Sequence, residues 1–426
     1  MNDNLKNFNN LPIKTIIKRA IYPLKNKVVF TMATVFLLLI SSVACFALEG
    51  NDSPNSSLTV YKVYNIDDLN KLRQLSENGE SFENKTIILK NDINITSNGN
   101  FNGEAVNFKP IFGEGLEFKG TFDGQNNTLH CNVNNGEIIG NISKSGIVKN
   151  LKVTGCFEGD VDGAIFNYNE GTIENIAINA KIRDNFTSAS AICCFNDGTI
   201  NNCEVRGDIY TNDMNCAGIS FTNSGKITQC KVFANLNNCV QPILIDDEEN
   251  DKFQLPETAG ITSFNSGLIS GCVVKSKLFN KNGNEFYGSA GGLVSTNNGL
   301  IENSTFKGTV AASASGGISS SNYTIIKSCN INATIEGNNA AEFVACNIWG
   351  DIDFAWEKIK NEKQGVIDSC EFTGTVEAKR KGGLAAAANH INPRGDVPQI
   401  KNCKINGILI KRTPDYAIKS WTQKFD

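Results

Sequence analysis

The chain has 426 residues, of which 20% are charged, and its 40 Lys+Arg and 44 Asp+Glu leave a net charge of -4. With a pI near 5.5 it has no basic footprint, which argues against nucleic-acid binding as a main role. Two histidines, His130 and His390, leave little room for a His-based zinc site or a His-dependent triad.

The N-terminus reads as an export signal. Lys14, Lys18, Arg19, Lys25 and Lys27 precede the apolar run Val28 to Ile40, and small residues follow through Ala47. That is the charged, apolar, small-residue order of a secretory signal, with cleavage after Ala44 or Ala47. Two alternatives stay open. Val28 to Leu48 is long enough to serve as an uncleaved membrane anchor, and Cys45 could be a lipidated first residue. All three place the rest of the chain outside the cytoplasm. Residues 1–47 are thus a signal peptide or anchor, and 48–57 a linker.

Residues 58–140 are expected to form an N-terminal cap with leading coils. Within them Asn65 to Leu75 has a helical pattern: Asn65 can cap it, Asp67 and Asp68 suit the first turn, and Ile66, Leu69 and Leu72 share a side. A solenoid end would otherwise expose apolar side chains and unpaired backbone, so this helix is assigned as a lid.

Residues 141–412 carry an internal repeat. The segment Asn223-Ser-Gly-Lys-Ile-Thr-Gln-Cys-Lys-Val232 recurs with variation, its Gly place taken by Gly146, Gly171, Gly198, Gly225, Gly267, Gly299, Thr324, Gly365 and Pro398. Short spacings of 25 to 27 residues define the unit, and longer ones add insertions. Two places on, the residues are Val148, Ile173, Ile200, Ile227, Ile269, Ile301, Ile326, Ile367 and Ile400. The fifth, seventh and eleventh places are mostly apolar or Cys, the ninth is only Gly, Ala or Ser, and the eighth is polar in all copies but Phe233. This period-two alternation describes strands with one face inward.

A single unit cannot enclose a core, but stacked units bury their columns continuously. Parallel pairing about 4.8 Å apart makes nine coils a rod of about 40 Å. A second recurring segment, as in Ala217-Gly-Ile-Ser220, Gly291-Gly-Leu-Val294 and Gly382-Gly-Leu-Ala385, allows a tight turn before the next strand. The fold class expected is all-β, a parallel β-helix or solenoid of right-handed sense. Residues 413–426 are left as a C-terminal tail.

The segments Gly291-Gly-Leu-Val-Ser-Thr-Asn-Asn-Gly-Leu-Ile-Glu-Asn-Ser304 and Gly365-Val-Ile-Asp-Ser-Cys-Glu-Phe-Thr-Gly-Thr-Val376 resemble the GLUG repeat of bacterial surface and secreted proteins. Pro110-Ile-Phe-Gly113 and Phe118 to Leu129 are similar to the coil that precedes such repeats. The resemblance spans roughly residues 58–412 and implies an adhesin-like protein. The family also occurs beside the protease domain of some IgA-cleaving metallopeptidases, but no H-E-x-x-H is present here.

Six cysteines (Cys203, Cys230, Cys272, Cys329, Cys370 and Cys403) share the fifth place with Ile, Leu and Ser, which suits a small buried filler better than a disulfide. Cys193 and Cys194 are adjacent and receive no redox role. The acidic stretch Ile245 to Lys252 clusters carboxylates that calcium could use, but its spacing matches no EF-hand, and a solvated loop is the favoured reading. Trp349 and Trp356, the paired tryptophans of one insertion, are candidate ligand-binding residues, with a lateral mini-core as the bland alternative. The insertions after Leu236 and Leu278 should leave one turn in adjacent coils, and those near 348–362 and 389–397 another. No motif implies a cofactor, a metal or a catalytic residue. The expected role is display of a binding surface for a host or cell-surface glycan or protein, with membrane attachment through the N-terminus as an option. A carbohydrate-active β-helix enzyme and a structural spacer are the alternatives.

Overall fold

The computed structural model describes residues 59–424 apart from short internal stretches, the longest being 240–242, 246–251, 349–351, 354–357, 360–364, 391–398 and 412–416. The expected signal segment and the linker 48–57 lie outside the described residues, so neither is placed. Among the described residues no helix is long and apolar enough to cross a membrane.

The chain winds into a parallel β-solenoid. One coil shows the plan: four strands, Asn215–Ala217, Ser220–Asn223, Lys226–Thr228 and Lys231–Asn238, follow one another round the tube. Each pairs in parallel with its counterpart on the next coil, for example Lys226–Thr228 with Leu268–Ser270. Stacking of all coils yields one 27-stranded sheet and a 9-stranded sheet made of the second strands.

The alternation read in the sequence sets this register. Val148, Ile173, Ile200, Ile227, Ile269, Ile301, Ile326, Ile367 and Ile400 are direct ladder partners from coil to coil. The column extends upstream through Phe122, Ile87 and Tyr61, which the repeat pattern did not reveal. From Ile87 to Ile367 every member is fully buried, while Tyr61 and Ile400, at the two ends, are only partly so. Full burial of such a side chain stabilises by roughly 1.5–3 kcal/mol, so the column alone gives each coil a reason to sit over its neighbour.

Two corners explain the less obvious columns. Between the third and fourth strands every repeat places a residue in the left-handed region: Asn150, Asn175, Asn202, Gln229, Gly271, Asn303, Ser328, Ser369 and Asn402, with φ from 50 to 66°. Asn is among the few non-Gly residues that visit this region readily. At the ninth place Gly155, Gly207, Gly308 and Gly374 have φ between 111 and 152°, and a Cβ there would lie 1.8–2.0 Å from the carbonyl oxygen of the coil beneath. The restriction to small residues is therefore a backbone contact between coils.

The predicted helix forms as Ile66–Glu77 (α1), with Asn65 Oδ1 accepting from the backbone N–H groups of Asp67 and Asp68. Leu69 and Leu72 are buried in the same core as the first coils, and Ser76 Oγ donates to the Ile111 carbonyl. The lid is thus part of the continuous core.

Two expectations change. The segment 413–426, left as a tail, contains the strand Ala417–Lys424, which runs antiparallel along Lys404–Lys411. The last coil otherwise presents a row of unpaired N–H and C=O groups, and the returning chain pairs them. In the final coil the repeat Gly382-Gly383 is shifted by one: Gly383, not Gly382, stacks over Ala341, Gly316 and Gly291. Two residues, Lys379 and Arg380, lie between Ala378 and Lys381 where the neighbouring coil has only Asn338 between Gly337 and Asn339, and the extra one causes the slip.

Candidate binding surface

Inside the tube, at the end of each second strand, stands an asparagine: Asn169, Asn196, Asn223, Asn265, Asn297 and Asn322. All are buried, and each Nδ2 donates to the Oδ1 of the next at 2.7, 2.6, 2.7, 2.8 and 2.9 Å. An amide both donates and accepts, so a stack of amides satisfies itself. Each Asn lies two residues before the Gly place, a column present in the sequence but not read there.

The cysteine column is buried and unbridged, as expected. It is more than filler. Sγ of Cys203, Cys230, Cys272, Cys329, Cys370 and Cys403 lies 3.2–3.6 Å from the carbonyl oxygen two residues earlier, next to the left-handed corner. Ser304 makes the same bond with its hydroxyl at 2.8 Å. From Cys203 onward the column therefore holds a small side chain with a donor, which accounts for Cys and Ser sharing it, whereas Leu151 and Ile176 fill it by size in the two coils before. Cys193 and Cys194 are both buried. Burial raises the Cys193 thiol well above its usual range, a poor setting for thiolate chemistry.

The outer face carries the features that a ligand would meet. On four successive coils Tyr168, Phe195, Phe221 and Phe264 form a half-buried aromatic strip running along the rod axis, with ring centroids 6.1, 6.1 and 5.4 Å apart. The strip's start is polar: the Tyr168 hydroxyl and the Ser224 hydroxyl both donate to the Asp197 carboxylate. Desolvation, with that carboxylate beside it, holds the Tyr168 phenol well above its usual range. Around the corner, Phe233 is sandwiched by Arg206 at 4.5 Å and Lys275 at 5.6 Å, a contact that ties three coils together.

Beyond Phe264 the strip gives way to polar groups. Glu257 is desolvated and its carboxyl is pushed up to about 8, an effect that the nearby Ser295 hydroxyl partly offsets. Tyr323, two coils further on, has its phenol raised by burial, with smaller contributions from Cys346 and Glu257. Burial also pushes the Cys346 thiol up to about 11.

Trp349 and Trp356 lie outside the described residues, so the structure brings neither into a site. The acidic residues 246–251 also lie outside; flanking them, Ile243–Ile245 and Lys252–Gln254 form an antiparallel hairpin. This insertion and the one carrying the small hairpin Lys281–Asn282 with Glu285–Phe286 follow Asn238 and Asn280, which are ladder partners. The first pair of insertions therefore leaves the same corner of adjacent coils, as the spacing predicts. The second pair follows Ile348 and His390, also ladder partners. The aromatic strip was missed because its column, Tyr168, Phe195, Thr222 and Phe264, is interrupted at Thr222, where Phe221 supplies the ring from the neighbouring strand place. Among the described residues no group of three or more His, Cys, Asp or Glu could hold a metal ion.

No family model, curated protein or solved structure matches the chain. The likeness to GLUG repeats therefore rests on the quoted segments alone.

Proposed function

We propose that this is an exported solenoid protein that holds an extended glycan along its outer face, at a cell surface or after secretion, without turning it over. The observation that carries the reading is the strip Tyr168–Phe195–Phe221–Phe264. Partly exposed rings repeated along a rigid rod offer apolar faces to successive sugar units, while the flanking Asp197, Ser224 and Tyr168 offer hydrogen bonds. A rod whose strands are locked in register presents these rings with little ordering cost on binding. Export is supported by the charged-then-apolar N-terminus, and ten of the thirteen described cysteines are buried, which shields them from an oxidising medium.

The test is retention on immobilised cellulose, xylan, chitin and pectin. We expect at least one to retain the protein, and Phe195→Ala with Phe221→Ala to reduce retention at least tenfold with an unchanged β spectrum. Retention on none, or retention indifferent to both substitutions, contradicts the reading. The enzymatic alternative draws on Glu257, a carboxyl held protonated near neutral pH as a general acid would be. Release of reducing ends or unsaturated products from the same polysaccharides would favour it.

A further inference from the structure

We propose that the outer face of the fourth strands in three consecutive coils, carrying Lys231, Lys275, Lys277 and Lys307, binds an extended polysaccharide with a carboxylate on its sugar units. This face lies on a different strand of each coil from the aromatic strip, so the inference goes beyond the reading above and does not depend on it.

The strands Lys231–Asn238, Val273–Asn282 and Thr305–Gly316 run side by side in parallel. Their outward places hold Lys231, Phe233 and Asn235, then Val273, Lys275 and Lys277, then Thr305, Lys307 and Thr309. All four lysines are exposed, and no acid stands among these residues. Lys275 and Lys307 are direct ladder partners, so two cations rise from backbones about 4.8 Å apart, with Lys277 one outward place further along. Like charges placed opposite each other destabilise a sheet.

Elsewhere the rod pairs its outward charges from coil to coil. Arg183 meets Glu158, Lys327 meets Glu302, Lys401 meets Asp368 and Lys404 meets Glu371. The acids that border the lysine face are already engaged: Glu204 with Arg206 at 2.6 Å, and Asp208 with Asn235 Nδ2 at 2.9 Å. Among the described residues no carboxylate forms an ion pair with any of the four lysines. In a chain of net charge -4, this leaves a local excess of positive charge that the fold itself does not use.

A sugar chain with regularly spaced carboxylates, laid along the rod axis, meets at least one lysine in every coil and relieves the repulsion between them. Phe233 fixes the start of the row, because its ring lies between Arg206 and Lys275 and so orients the Lys275 ammonium. A ring covered by cations is not free to stack on a nucleic-acid base. The residues between the lysines are mainly Asn and Thr, not the large apolar side chains that enter a lipid surface.

The experiment measures binding of the full chain to polygalacturonate at low salt. One variant combines Lys275→Gln, Lys277→Gln and Lys307→Gln. Its control combines Lys62→Gln, Lys109→Gln and Lys144→Gln, which removes the same charge from exposed places outside the face. We expect the first variant to bind at least tenfold more weakly and the control to stay within about twofold of the wild type, with wild-type binding lost at about 0.5 M salt. The thermal midpoint of the first variant should hold or rise, because stacked like charges have been removed. No binding by the wild type, or equal losses in the two variants, overturns the proposal. So does tighter binding to phosphatidylglycerol vesicles than to polygalacturonate. Phe195→Ala with Phe221→Ala should leave polygalacturonate binding unchanged, so failure of the aromatic-strip reading and failure of this one are read on separate variants.

Discussion

Two places in the same tube bury polar side chains with opposite consequences. From Asn196 to Asn297 each buried amide finds a partner in the coil above and the coil below. At Glu342 a carboxyl is buried, 1% exposed, and both oxygens lack a partner. Its coil neighbours place it over Gly317, in the column that earlier holds Gly218, Gly260 and Gly292. A Cβ added at Gly292 or Gly317 would point at Phe306 or Ile331, so the place faces the apolar interior. Burial accordingly pushes the Glu342 carboxyl up to about 9, with no neighbouring charge contributing. A repeat makes a buried polar group a support when every coil carries it, and a weak point when one coil does.

The comparison breaks most visibly at the ladder. Asn223→Leu removes the acceptor for Asn196 Nδ2 and the donor to Asn265 Oδ1. With an orphaned group costing about 1–3 kcal/mol, the loss should be about 2–5 kcal/mol in urea unfolding. A loss below about 1 kcal/mol would show that the ladder is incidental to stability.

Glu342→Gln tests the other side. The folded carboxyl holds its proton up to about 9, whereas the unfolded chain releases it near the ordinary carboxyl value of 4.5. Stability therefore falls as pH rises through that window, by up to about 1.4 kcal/mol per unit, and the penalty is absent below it. The variant should gain about 3 kcal/mol on the wild type at pH 7 and nothing at pH 4. Equal stability at both pH values would mean that the carboxyl reaches solvent.

Smaller effects sharpen the picture at the corner. Cys230→Ala leaves the Thr228 carbonyl without the thiol donor and should cost about 1 kcal/mol, whereas Cys230→Ser should cost less, as Ser304 does the same job natively. A purely steric column would rank the two the other way. Smallest is Asn202→Gly, expected within about 0.5 kcal/mol of wild type because the left-handed backbone suits glycine and only one exposed side-chain bond to Asn175 is lost.

What was legible in the sequence was whatever repeats as hydrophobicity. Ile200, Ile227 and Ile269 announce their column, and Asn65 with Asp67 and Asp68 announce the helix. The leading coils were only sketched, because Tyr61, Ile87 and Phe122 share a column but no common motif. The Cys column was visible, yet its hydrogen bond depends on a corner carbonyl that only coordinates reveal. The outer surface was the least legible. Phe195 and Phe221 meet across a half-step between neighbouring strand places, and Glu257 approaches the Ser295 hydroxyl from a different strand. Contacts formed between coils at unequal places leave no period to read.

The coil-over-coil register underlies every one of these statements, and distances between spin labels introduced pairwise through a bio-orthogonal residue at the outward places Asn179, Arg206, Asn332 and Asn406 measure it directly. Backbone separations should grow in equal steps, from about 5 Å for Asn179–Arg206 to about 24 Å for Asn179–Asn332 and about 34 Å for Asn179–Asn406. Separations that fail to increase in that order would contradict the account.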